Sequence, residues 1–264
     1  MGVRGYLLLG AAALAAAAFG VFRQVPGRTQ LRFPYETGAL TADQYRALAA
    51  VPGWHASRIS VAPAIALNGL VRRPRNPDAP WVLFYQGNDA NLLRDGQAFL
   101  LALAGDRDWG LAIYAYRGYD SSAGTARLAT LAVDAPEILA QLCRAEQVAR
   151  SRVHLVGFSI GGHLAVRAMA AAARMAPRPA SLTLLAPVDD IVMVPRSFYE
   201  RLDPGDHFQT RPLLDAIPAP VLVIQGAADE ALHGPGQGRA VASALGTRGR
   251  YVELEAVGHG ALLG

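Results

Sequence analysis

The chain contains no lysine; all 25 basic residues are arginine. A phosphate-cradling G-x-x-x-x-G-K-[ST] loop is therefore excluded, and with it the P-loop kinases and NTPases. There is one cysteine, Cys143, which rules out an intrachain disulfide and a cysteine-based zinc knuckle. Cys143 falls in the helix-like stretch "DAPEILAQLCRAEQVAR" and reads as a small core residue. No H-E-x-x-H and no paired-histidine spacing occur, so no metal or cofactor is implied. Charged residues are scarce, at 17%. The net charge of +4 comes from scattered arginines, and the densest run, "VRRPRNP", reads as a solvated turn. A nucleic-acid partner would require those charges on one face.

What the chain has in abundance is apolar residues, 52% of its 264. That is enough for one large α/β core and too much for a disordered chain. The first 28 residues differ from the rest. Residues 7–22, "LLLGAAALAAAAFGVF", carry no charge and are flanked by arginines. A run of that length predicts an export signal or an uncleaved membrane anchor, with the protein exported or held at a membrane. Residues 24–38, rich in Pro and Gly, read as the linker into a domain over 29–264.

Beyond the linker, strand-like and helix-like segments alternate. "LTADQYRALAAVPG" has Thr41 as a helix N-cap and Gly53 as its stop, and "SRISVAPAIALNGLVRRP" predicts a hairpin. Continuous apolar runs predict buried strands at 80–87, 110–118, 153–159, 180–188 and 218–227, with a last strand at 249–257. Helix-like stretches follow the first three, at 92–106, 128–150 and 161–175. This pattern predicts an α/β fold, a mostly parallel sheet with helices on both faces. Residues 189–217 break the alternation and are too long for a simple connection, so they predict a short cap inserted over one edge of the sheet.

Within 153–170, "VHLVGFSIGGHLAVRAMA", the sequence G-x-S-x-G ends a strand and begins a helix. The pattern alone is weak, but the setting is informative. A sharp strand-to-helix turn strains the serine backbone and exposes its hydroxyl, and only glycines two residues before and after avoid a clash. Ser159 is the candidate nucleophile. A serine hydroxyl needs a base, and the base needs an orienting carboxylate. Asp229 follows a buried strand and His259 follows the last one. The order Ser, Asp, His and the strand-end positions suit catalysis in an open α/β sheet. Asp189 and Asp190, after the preceding strand, are the rival acids. The candidate oxyanion donors are the backbone N–H groups of Ile160, next to the nucleophile, and of Asn88, in the loop after the strand "WVLFYQG". His163 reads as packing near the site with no proton-transfer role.

Four segments together resemble the α/β-hydrolases, and within them the Bem46-like serine hydrolases. They are "FYQGNDANL", "YAYRGYDSSAG", "GFSIGGHLA", and "VLVIQGAADEAL" with "VGHG". Two positions depart from that pattern: Gln86 stands where His is usual, and Asp120 replaces a glycine. The resemblance implies an α/β-hydrolase fold and a serine hydrolase acting on a carboxylic ester or thioester. The apolar run at 7–22 and the apolar residues of the cap point to a small-molecule or lipid-like ester as the substrate. The alternatives are a peptidase or C–C hydrolase of the same fold, or a non-catalytic binding or scaffold protein built on it.

Overall fold

The computed structural model describes residue 35 and residues 37–89, 91–191 and 206–263. The segment expected to be an export or anchor sequence, 1–28, lies outside these residues, as does the middle of the cap, 192–205. Among the described residues no helix is long and apolar enough to cross a membrane.

Eight strands form one sheet. In chain order they are β1 (Trp54–Ala62), β2 (Ile65–Arg72), β3 (Trp81–Tyr85), β4 (Gly110–Tyr114), β5 (Val153–Phe158), β6 (Ser181–Leu185), β7 (Val221–Gly226) and β8 (Gly249–Leu254). Their spatial order is β1-β2-β4-β3-β5-β6-β7-β8. The predicted hairpin is β1–β2, antiparallel, and β2 also runs antiparallel to β4. Every pairing from β4 across to β8 is parallel.

Among the described residues the α-helices are α1 (Ala42–Ala49), α2 (Leu92–Ala104), α3 (Leu128–Ala145), α4 (Ile160–Ala172) and α5 (Gly236–Leu245). Helix α1 starts at a reciprocal cap: Thr41 Oγ1 accepts the Gln44 N–H, and Gln44 Oε1 accepts the Thr41 N–H. Helix α5, between β7 and β8, has no counterpart in the sequence reading. Its stretch "GQGRAVASAL" is Gly-rich and weakly apolar, so tertiary contact rather than propensity makes it helical.

Strands β3 and β4 are buried at every residue. A strand buried throughout is covered on both faces, which is why these runs read as continuously apolar. Strand β8, at the edge, is only partly buried along its length. β4 stops at Tyr114, four residues before the expected end at 118, and the remainder turns into a loop that braces the site.

The two described ends of the cap leave and re-enter side by side. Asp190 bridges Gln209 in antiparallel fashion, and the Thr210 N–H donates to the Asp189 carbonyl at 2.6 Å. The insertion thus rises from the carboxyl end of β6, on the same rim as the ends of β3, β5 and β7.

Candidate active site

Ser159 sits between β5 and α4 with φ +54° and ψ −123°, a strained conformation for a residue with a Cβ. Packing enforces it. A Cβ on Gly157 would lie 2.5 Å from the Gly161 carbonyl oxygen, and one on Gly161 would lie 2.1 Å from the Tyr85 carbonyl oxygen. The turn is tied to the sheet by the Ser159 N–H, which donates to the Leu185 carbonyl at 2.9 Å. Ile160 begins α4, so its N–H is one of the helix-start donors without an intrahelical acceptor, at the positive end of the helix dipole.

The loop after β3 comes up against the same turn. A Cβ on Gly87 would lie 3.2 Å from the Ser159 Cβ. This places the backbone leading to Asn88 directly beside the serine. Gln86, in the place where the resemblance expects His, turns its Oε1 back to the Gly87 N–H at 3.1 Å. Its Nε2 is buried and has no partner among the described residues.

Asp229 and His259 meet, with His259 Nδ1 2.8 Å from Asp229 Oδ2. A carboxylate can only accept, so Nδ1 carries the proton and Nε2 is left as a base. The Asp229 side chain is fully buried and also accepts from Gln225 Nε2 at 2.7 Å and the Leu232 N–H at 2.8 Å. Burial pushes its pKa up, but the His259, Leu232 and Gln225 contacts outweigh that and hold the carboxyl below its usual range. The His259 ring packs on Phe158, the residue before the serine, with centroids 4.8 Å apart.

The loop carrying His259 is held by the turn after β7, which also carries Asp229. Ala228 N–H donates to the Val257 carbonyl at 3.1 Å, and the His259 N–H donates to Glu230 Oε2 at 3.1 Å. A hydrogen bond from its own backbone, followed by the one from the His259 N–H, holds the Glu230 pKa down.

The rival acids are engaged elsewhere. Asp189 Oδ2 pairs with Arg211 Nε at 2.6 Å, and Asp190 Oδ2 accepts from Gln209 Nε2 at 2.8 Å. Both therefore fasten the cap's returning segment.

His163, one turn beyond the serine on α4, is buried and stacks on Phe208 with centroids 4.1 Å apart. Thr210 Oγ1 donates to the Val188 carbonyl at 2.7 Å, so it accepts from His163 Nδ1 at 3.1 Å. Burial, aided by Arg167, pushes the His163 pKa down to about 3. It stays neutral near pH 7 and ties the cap to α4. A cavity of about 380 Å³ opens here between α3, α4 and the cap's returning segment, lined in part by Leu128, His163, Arg167, Phe208 and Leu213.

Sequence reasoning missed Gln225 and Glu230. Their roles depend on which loops become neighbours, and no spacing rule encodes that. The one usable signal was the position of Gln225 and Glu230 on the same strand end as Asp229.

No family model and no curated protein matches the chain. Solved structures do. An esterase of Pyrococcus furiosus, PF2001, is similar over 90% of this chain and 92% of its own, at 11% identity and a TM-score of 0.67. The Rhodococcus esterase RhEst1 is similar over 79% of this chain and 93% of its own, at 15% identity and a TM-score of 0.60. Dipeptidyl peptidase 4 of Porphyromonas gingivalis matches 78% of this chain with 32% of its own, at 16% identity and a TM-score of 0.58. With its strand order, its single antiparallel strand β2 and its serine on the turn after β5, the chain has the α/β-hydrolase fold.

Proposed function

We propose that the protein is a serine hydrolase that cleaves a carboxylic ester or thioester. The observation carrying this reading is the Asp229–His259 hydrogen bond, at 2.8 Å, on a ring packed against the strained Ser159 turn. In the proposed reaction Ser159 Oγ attacks the carbonyl carbon as His259 Nε2 takes its proton. The charge passing to the carbonyl oxygen is held by the Asn88 and Ile160 N–H groups. The tetrahedral intermediate collapses, and the leaving alcohol or thiol takes the proton from His259. Water, deprotonated by His259, then attacks the acyl-serine and releases the acid, and Ser159 regains its proton. Asp229 fixes the His259 tautomer and stabilises the imidazolium.

The four sequence segments quoted above support placing the protein in the Bem46-like group. Residues 7–22 support export or membrane attachment, which the mass of the mature amino terminus in the native host tests directly. The peptidase neighbour keeps amide substrates as the second reading.

The test is a fluorophosphonate probe together with parallel panels of 4-nitrophenyl esters and peptide p-nitroanilides. Labelling should occur on Ser159 and vanish in Ser159→Ala, with ester turnover exceeding amide turnover. Faster amide turnover selects the peptidase, and neither labelling nor turnover sinks the hydrolase reading.

A further inference from the structure

The stretch Tyr116–Asp120 holds no candidate catalytic residue, yet three of its five side chains bind the segment from the end of β3 to the start of α2. Tyr116 donates its hydroxyl to the Gln86 carbonyl at 2.7 Å. Tyr119 donates to Asn88 Oδ1 at 2.6 Å. Asp120 Oδ2 accepts the Leu93 N–H at 2.7 Å, where α2 begins. Both tyrosines are buried and meet edge to face, with centroids 5.7 Å apart. A tight turn, closed by the Tyr119 N–H on the Tyr116 carbonyl at 3.0 Å, brings these residues together.

We propose that Tyr119 is a positioning residue: by holding the Asn88 carboxamide it sets the direction of the Asn88 backbone N–H toward the reacting carbonyl oxygen. This rests on the hydrolase reading above. A glycine precedes Asn88, so the peptide that carries this N–H is flanked by a residue with little conformational preference of its own. The peptide plane therefore needs an external anchor. The Asn88 side chain, fastened to a buried hydroxyl on a neighbouring strand's loop, supplies one. Oxyanion donors act by being preorganised, so a small rotation of this N–H weakens the transition state while leaving ground-state binding nearly intact.

The experiment uses the full chain and a 4-nitrophenyl butyrate assay. Tyr119→Phe removes one oxygen and keeps the buried ring. We expect kcat to fall about 10- to 100-fold, below the full loss of an oxyanion donor, with KM changed less than about two-fold. Asn88→Ala keeps the backbone N–H and Tyr119 but cuts the link between them, and should lose a similar amount. The double variant should be no worse than the poorer single one, because both break the same link.

Unchanged kcat in Tyr119→Phe with a lowered melting temperature would leave the tyrosine a packing role only. Losses that multiply in the double variant would also overturn the inference. If Tyr119→Phe does not fold, Asn88→Ala decides: a folded variant with wild-type kcat refutes the anchor. A wild-type chain that neither turns over ester nor labels at Ser159 fails the hydrolase reading itself, an outcome distinct from the others.

Discussion

The proposed nucleophile and the proposed base are held by different physics. Around Ser159 the constraint is excluded volume: strands buried throughout, glycines with no room for a methyl group, and a backbone forced to positive φ. Around His259 the constraint is polar. The edge strand β8 is half-buried, and the loop after it is fixed by Asp229, Glu230 and the Ala228 N–H. The nucleophile half should therefore fail when atoms are added, and the base half when acceptors are removed.

The largest expected effect is on the base side. Asp229→Asn should lower kcat by about 10³- to 10⁴-fold with little change in KM, because the amide no longer guarantees the proton on His259 Nδ1. Steady-state kinetics on a variant with wild-type circular dichroism measures it, and a loss under tenfold would mean His259 is oriented by something else. Next comes Gly161→Ala. Its Cβ would sit 2.1 Å from the Tyr85 carbonyl oxygen, so destabilisation of about 3 kcal/mol or more is expected. Denaturant melts would show it. A variant of wild-type stability would break the excluded-volume account.

Glu230→Gln sharpens the contrast. It keeps an acceptor for the His259 N–H but removes the charge, so kcat should fall by only about ten-fold or less, with the melting temperature scarcely moved. A much larger loss would show that the charge, rather than the hydrogen bond, places the loop.

The smallest effect tests a polar group on the nucleophile side. Asp120 is buried at φ +44°, with Oδ1 lacking a partner among the described residues. Burial pushes its pKa up to about 6 against the pull of the Leu93 N–H, with Asp89 and Asp95 raising it further and Arg94 lowering it. A carboxyl with a raised folded pKa favours the folded state when protonated. That advantage is lost as pH rises from about 4 to 6. Asp120→Asn should therefore raise the melting temperature by a few degrees at pH 7.5 and hardly at all at pH 4. An equal gain at both values would remove ionisation as the cause.

The sequence by itself determined the alternating architecture and Ser159 on its turn. It did so because burial on both faces writes continuous apolar runs, and a steric clash writes its glycines at fixed distances from the serine. It favoured Asp229 as the acid but kept Asp189 and Asp190 as rivals. Only the tertiary structure sent the two rivals to Arg211 and Gln209 and brought Asp229 to His259. It also ended β4 early, turned "GQGRAVASAL" into α5, and set Tyr119 against Asn88. Local sterics and hydrophobic periodicity act along the chain and can be read there. Hydrogen bonds between loops depend on which strand ends become neighbours, and that is fixed only when the sheet assembles.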